Sequence, residues 1–417
     1  MTDAAPAETA AVPLLEPRDG VPAVVEGAEQ LHATIEAMRA GHGPVAVDAE
    51  RASGYRYGQR AYLVQLRRAG AGTALVDPIA CPDLSELSAA LADAEWVLHA
   101  ASQDLPCLAE VGLRPSRIFD TELAGRLAGH ARVGLGPLVE SVLGLALEKG
   151  HAAVDWSTRP LPAAWLRYAA LDVEVLVELR DVLAEELRRQ RKLSWAREEF
   201  AVLAAAAPSR ERADPWRRTS GLHRVRRPRQ LAVVRSLWET RDQLARERDV
   251  APGRVLPDAA IVEAALAMPA TSEELAALSV YGGRSTRRHL RTWHGAVERA
   301  RRLPEKALPP VSPRVDGPPP IRGWAERDPV AAARLAAARA AVAAVADEHD
   351  VPAENLLAPD AVRRLAWSPP TACSADAVAQ ALTSYGARDW QVRLTAAPLA
   401  AALTELADAP DGGEAPR

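Results

Sequence analysis

Hydrophobic periodicity divides this 417-residue chain into a first part led by strands and a longer second part led by helices. Residues 43–50 (GPVAVDAE) put Val45 and Val47 on one face and alternate into acids, which predicts a strand. Residues 61–67 (AYLVQLR) and 73–77 (TALVD) predict two more, separated by the turn glycines Gly70 and Gly72. A fourth strand is expected at 96–99 (WVLH), followed by a helix over about 102–111. From 123 to about 191, apolar residues recur at steps of three and four, the helical spacing. Three early strands in hairpin-like succession, then strand–helix alternation, predict a mixed sheet flanked by helices.

An arginine-rich, loop-like stretch at 208–229 (PSRERADPWRRTSGLHRVRRPR) closes this first unit. Beyond it the pattern is helical throughout, punctuated by Pro and Gly. Residues 303–323 hold seven prolines and predict a semi-rigid linker. The helical segments on either side of that linker resemble each other. ERDVAPGRVLPD from Glu247 parallels EHDVPAENLLAPD from Glu348, and the pair Tyr281–Gly282 parallels Tyr385–Gly386. The offset drifts from 101 to 104 residues between these anchors, as in a duplicated domain with one small insertion.

Composition adds limits rather than a fold. Hydrophobic residues at 48% and charged ones at 25% give a globular balance with enough apolar material for a core in each unit. Cys81, Cys107 and Cys373 are scattered and match no metal-ligand spacing, so a reducing cytoplasm is the expected compartment. The N-terminal residues lack the basic and apolar regions of a signal peptide. The Ala-rich stretch 330–346 is broken by Arg334 and Arg339 and reads as a helix of a soluble protein, so no membrane is expected as a partner.

Net charge is −4, which alone argues against a nucleic-acid binder, but its distribution reverses that reading. Residues 20–207 carry a net −6, residues 208–229 a net +6 and residues 230–302 a net +3. An acidic body therefore adjoins a basic neck and shoulder, the asymmetry expected where one part does chemistry and another holds a polyanion.

The candidate chemistry lies in the acidic body. Asp48 and Glu50 are two apart on a predicted strand and leave the same face. Carboxylates so placed repel unless cations sit between them, and hard divalent metals such as Mg²⁺ take oxygen ligands. Asp104 follows the fourth strand at a helix start, where an Asp is also favoured simply by the helix dipole. Tyr168 and Asp172 (YAALD) fall four apart and share one helix face. Each motif alone reads as an ordinary surface or half-buried feature. In the order D-x-E, D, Y-x₃-D, they suit a two-metal site for in-line phosphoryl displacement, with a tyrosine one helical turn from a ligand to orient water.

The combination resembles the tyrosine-bearing branch of the DEDD exonucleases, and its surroundings resemble ribonuclease D. VAVDAE, LHAASQDLPCL and YAALDVEVL match the three motifs, and AYLVQL, IFDTELAGRLAG and DWSTRPLPAAWLRYAALD support them, over roughly residues 20–200. The resemblance implies that Asp48, Glu50, Asp104 and Asp172 bind two Mg²⁺ ions, for which Mn²⁺ substitutes, and that Tyr168 places the nucleophile. It implies an α/β, ribonuclease H-like nuclease domain followed by two all-α helical bundles. His99 fits the pattern too, though a buried core histidine is the simpler reading. Two departures bear on substrate contacts: GHAAVDW after Lys149, and the arginine-rich RASGYRYGQR after Glu50.

The helical units resemble the helicase-and-RNase-D C-terminal (HRDC) domain, closely over about 227–302 and more weakly over 324–406. The first copy carries Arg284, Arg287, Arg288, Arg291, Arg299, Arg301 and Arg302, enough to neutralise several phosphates if they face one way. Arg217 and Arg218 in the neck join Arg284, Arg287, Arg288 and Arg291 as expected nucleic-acid contacts. The second copy lacks such a cluster and is expected to pack or position.

The expected organisation is a disordered tail (1–19), the exonuclease domain (20–205), a basic connector (206–226), a first HRDC domain (227–303), a Pro-rich linker (304–323), a second HRDC-like domain (324–406) and a disordered tail (407–417). The expected activity is 3′→5′ trimming of RNA ends, of tRNA precursors and other small structured RNAs, releasing nucleoside 5′-monophosphates from a monomeric enzyme. A DNA exonuclease on the same site is the alternative, because metal-gripping motifs do not read the 2′-OH. A relic nuclease that only binds RNA would be marked by a missing acid, and none is missing.

Overall fold

In the computed structural model the described residues are 11–148, 150–151, 153–206, 213–312 and 317–408. A six-stranded mixed sheet organises the first part. Its strands are β2 (Val24–Val25), β3 (His42–Arg51), β4 (Ala61–Ala69), β5 (Gly72–Val76), β6 (Glu95–Leu98) and β7 (Arg117–Asp120), in the order β2-β5-β4-β3-β6-β7. β3, β4 and β5 form an antiparallel meander, while β6, β7 and β2 join in parallel. The register places Asp48 opposite Gln65 and Glu50 opposite Leu63.

β3 is covered on both sides, and its alternation sorts the two faces. Val45, Val47 and Ala49 enter the main core with Ile35 and Met38 of the Ala28–Ala40 helix. Ala46 points the other way, packing with Val97, Val173 and Leu176. Asp48 and Glu50 continue the Ala46 face by the two-residue period. That face lies under the Ala163–Glu174 helix, so the acids meet the helix bearing Tyr168 and Asp172.

Four short strands fall where none was predicted, among them the two-residue β2. β7 continues the sheet beyond β6. β1 (Val12–Leu14) pairs in parallel with β8 (Leu145–Leu147), so the expected N-terminal tail is ordered structure from residue 11 onward. Three-residue strands carry too little pattern to be seen ahead of their partners. Residues 1–10 and 409–417 of the expected tails, and residues 207–212 of the connector, lie outside the described residues.

The first helical unit closes around its own core, in which Leu231, Leu237, Ile261, Tyr281 and Trp293 meet Trp216 of the neck. The second is built on the Pro329–Glu348, Pro359–Trp367, Ala375–Ser384 and Asp389–Asp408 helices. Its Pro329–Glu348 helix is long and apolar enough to cross a membrane by length and composition, but Leu335, Ala338 and Val342 are buried in the bundle. The repeat seen in the sequence has a structural counterpart. Asp249 and Asp350 both take the left-handed conformation, at φ 49° and 48°, and each is followed by a one-turn helix.

The two units attach to the nuclease differently. The second shares the nuclease's hydrophobic core. Trp390 stacks on Trp195 at 4.9 Å between ring centres and 9° between planes, and its indole N–H donates to Glu199 at 3.0 Å. The first is joined by polar contacts to the loop that follows β3. Ala251 N–H donates to the Tyr55 carbonyl at 2.9 Å, Arg254 to the Gly54 carbonyl at 2.7 Å, and the Tyr57 hydroxyl to Asp242 at 3.0 Å.

Candidate active site

The structure brings Asp48, Glu50, Asp104, Tyr168 and Asp172 to one cavity of about 520 Å³, together with Arg51 and His99. One carboxylate oxygen from each of Asp48, Glu50 and Asp172 lies within 4.8 Å of the others. Asp104 adjoins Asp48, with its Oδ1 3.7 Å from the Arg51 guanidinium.

Each carboxyl is placed by a local rule. Asp48 and Glu50 are consecutive members of one strand face. Asp172 sits one helical turn beyond Tyr168 on the same helix, and both line the cavity. Asp104 is the N-terminal flanking residue of the Leu105–Glu110 helix, reached through a turn in which Ala100 has φ 58°. That turn is pinned by Asp120, which is buried and accepts from the N–H groups of Ala100 (3.2 Å), Ala101 (2.8 Å) and Leu123 (3.1 Å).

Electrostatics give the cluster its character. Burial, then repulsion from Asp48, Asp172 and Asp104, pushes the Glu50 carboxyl up to about 10. Burial and the neighbouring Asp48 push Asp104 up to about 8. Asp48 is raised mainly by burial, and Asp172 is raised well above the usual range by burial and by Asp48. Burial, followed by Asp172 and Glu50, also raises Tyr168. Convergent acids that cannot all ionise in this space are what a set of oxygen ligands for divalent cations looks like before the cations' charge is counted. The donor set fits hard divalent metal ions, and divalent metal use is the chemistry it supports.

His99 lines the cavity, with Nδ1 2.9 Å from the Thr121 hydroxyl; burial lowers it to about 4, so it is neutral. Sequence reasoning passed over two residues. Gln65 faces Asp48 across the β3–β4 ladder, fully buried, with neither amide atom hydrogen-bonded. Asp120 shapes the Asp104 turn. The hairpin register could have found the first, and the D-x-x-L capping pattern of FDTEL the second.

The expected nucleic-acid residues lie away from this cavity's lining. Arg284, Arg287, Arg288 and Arg291 are exposed on two successive helices of the first unit, and their side chains make no hydrogen bond or ion pair among the described residues. Arg218 is exposed as well. Arg217 is held within the fold: it stacks over Trp216 at 4.3 Å and binds Asp214 at 3.1 Å and the Pro310 carbonyl at 3.0 Å.

Comparisons with known proteins agree with this geometry. Residues 22–188 match the family model described as 3′-5′ exonuclease, residues 230–297 the HRDC domain, and residues 317–403 the 3′ to 5′ exonuclease C-terminal domain. Ribonuclease D of Gluconacetobacter diazotrophicus is 33% identical over 359 residues, covering 84% of this chain and 87% of that protein. A protein of Bifidobacterium adolescentis has a crystal structure 38% identical to this chain, with a TM-score of 0.86, covering 94% of this chain and all of that one. The crystal structure of Escherichia coli RNase D is 28% identical, with a TM-score of 0.67, and the match covers 92% of this chain and 98% of that one. Fold, site and relatives converge: the chain belongs to the ribonuclease D family and is a 3′→5′ exoribonuclease.

Proposed function

We propose that the enzyme trims the 3′ ends of tRNA precursors and other small structured RNAs, releasing one nucleoside 5′-monophosphate per step, and that it works as a monomer in the cytoplasm. Asp48, Glu50, Asp104 and Asp172 would hold two Mg²⁺ ions, with Mn²⁺ able to substitute. When bound, such ions polarise the scissile phosphate and supply hydroxide-like water near neutral pH. The observation that carries this reading is the crowding of the carboxylates, three of which, one buried and two half-buried, bring oxygens within 4.8 Å of one another. Tyr168 lines the same cavity one helical turn from Asp172 and would orient the attacking water. The Escherichia coli protein is described as an exoribonuclease involved in structured RNA processing, which supports structured RNA as the substrate class. Arg218, Arg284, Arg287, Arg288 and Arg291 would hold the RNA body by its phosphates, with Arg217 contributing as far as its contacts to Asp214 and Trp216 permit.

Asp48→Ala should abolish hydrolysis of a 3′-extended tRNA precursor, by at least about 1,000-fold, while leaving RNA binding measurable. EDTA should silence the wild type in the same way, and matched single-stranded DNA should be the poorer substrate. Wild-type turnover by Asp48→Ala with Mg²⁺ would remove the site assignment.

A further inference from the structure

Arg51 is the last residue of β3, directly after Glu50. In a regular strand its side chain would leave the face opposite the acids. The β3–β4 register slips at this point, with Glu50 facing Leu63 and Arg51 facing Ala61, and such irregularities re-aim side chains. The guanidinium accordingly reaches Asp104, 3.7 Å from Oδ1, with 25% of the Arg51 side chain exposed against 8% for Asp104. Arg51 also borders a second cavity of about 260 Å³, walled by Tyr55 and Val154, so it stands where the two spaces adjoin.

Structural arginines usually spend their five N–H donors on carbonyls and carboxylates. Arg159 does so, binding Asp77, the Tyr62 carbonyl and the Trp156 carbonyl within 2.9 Å. The Arg51 side chain makes no hydrogen bond among the described residues, and its one ion pair is longer than an N–H···O bond. Its donors point into the site without a structural duty there.

Charge says what they are for. Four carboxylates would be balanced by two divalent ions, leaving nothing to offset the phosphodiester or the extra negative charge it gains under attack. We propose that Arg51 is a catalytic residue whose guanidinium leaves Asp104 and donates to the non-bridging oxygens of the scissile phosphate as that charge develops. Planar donors suit the task, since a guanidinium meets two phosphate oxygens at once. The proposal rests on the metal-dependent hydrolytic reading given above.

The test uses the full-length enzyme carrying Arg51→Ala, Arg51→Gln or Arg51→Lys, with two readouts. The first is kcat and KM on a short single-stranded RNA with Mg²⁺. The second is the rise in Tm on adding Mn²⁺ without substrate. Losing a transition-state donor should lower kcat of the Ala and Gln variants about 100-fold, with a smaller change in KM. Lys should retain an intermediate rate, and millimolar guanidinium should restore part of the Ala variant's rate. Because Arg51 shares Asp104 with any bound ion, the Mn²⁺-induced rise in Tm should persist or grow in all three. A kcat within about threefold of wild type would reduce Arg51 to a counter-ion of Asp104. Loss of the Mn²⁺ shift together with kcat would make it a shaper of the acid cluster, and would overturn the proposal equally. Failure of the underlying reading would look different: the wild type itself would be inert with Mg²⁺, or Asp48→Ala would remain active.

Discussion

The two helical units share a local pattern and are used in opposite ways. Both place an aspartate in left-handed conformation ahead of a one-turn helix, at Asp249 and Asp350. Around Asp249 that corner faces the active-site loop: its carboxylate accepts from Tyr57 N–H at 3.3 Å and lies 3.8 Å from Arg56. Around Asp350 it faces the nuclease body, where its carbonyl accepts from Lys192 at 3.2 Å. The second unit spends apolar surface on the nuclease, with Trp390 stacked on Trp195 in a shared core. The first keeps a separate core and meets the nuclease mainly through hydrogen bonds, with the Tyr57 ring laid against that core. Apolar burial makes a strong joint but consumes surface, whereas a polar joint leaves the surrounding face free to carry charge. Arg284, Arg287, Arg288 and Arg291 are exposed on the unit that kept its surface.

The largest effect should come from breaking the apolar joint. Trp390→Ala removes a fully buried indole, its stack on Trp195 and its hydrogen bond to Glu199. A loss of about 3–5 kcal/mol is expected, from burial and the cavity left behind. Thermal unfolding should show the transition of nuclease and second unit falling together, with the first unit's transition little moved. If the nuclease kept its Tm while the second unit alone melted early, the shared core would not be one cooperative body.

The joint between nuclease and second unit was not legible in the sequence, for a physical reason. Periodicity shows which face of a helix is apolar but not what covers it, and Trp195 and Trp390 are almost 200 residues apart. The acids were legible because each obeys a local rule: two-residue alternation for Asp48 and Glu50, a four-residue step for Tyr168 and Asp172. The arginine-rich stretch that Arg51 begins was legible as a departure, but the direction of Arg51 depends on a register slip that no periodicity records. Arg217 looked like its neighbour Arg218, and only the fold turned it onto Trp216 and Asp214. The mixed sheet followed from its longer strands, β3, β4 and β5. β1, β7 and β8, of three or four residues, depend on partners distant in sequence.

The charged face comes next in size. Replacing Arg284, Arg287, Arg288 and Arg291 together with Gln should weaken RNA binding roughly tenfold to a hundredfold at moderate salt. It should also lower the slope of log affinity against log salt by about 0.7 per lost single-strand phosphate contact. Activity on a trinucleotide, too short to span both regions, should change little. An unchanged salt slope would take the arginines out of the RNA path, and the first unit's free surface would need another use.

The smallest and most selective change tests the polar joint. The Tyr57 hydroxyl donates to Asp242 at 3.0 Å and accepts from Arg246 at 3.0 Å, while its ring packs against the first unit's core. Tyr57→Phe keeps the ring and deletes the hydroxyl. The Arg246–Asp242 ion pair, 3.1 Å apart on one helix face, remains to satisfy both charges. The net loss should therefore be about 1 kcal/mol, a fall of a few degrees in the Tm of the first unit, with the nuclease transition unmoved. Tyr57→Ala, which also removes the ring, should extend the same fall without changing its pattern. A matching fall in the nuclease transition would mean that the loop after β3 carries the first unit's stability into the catalytic strand. The polar joint would then transmit as much as the apolar one, and the contrast between the two units would lie in their chemistry but not in their mechanics.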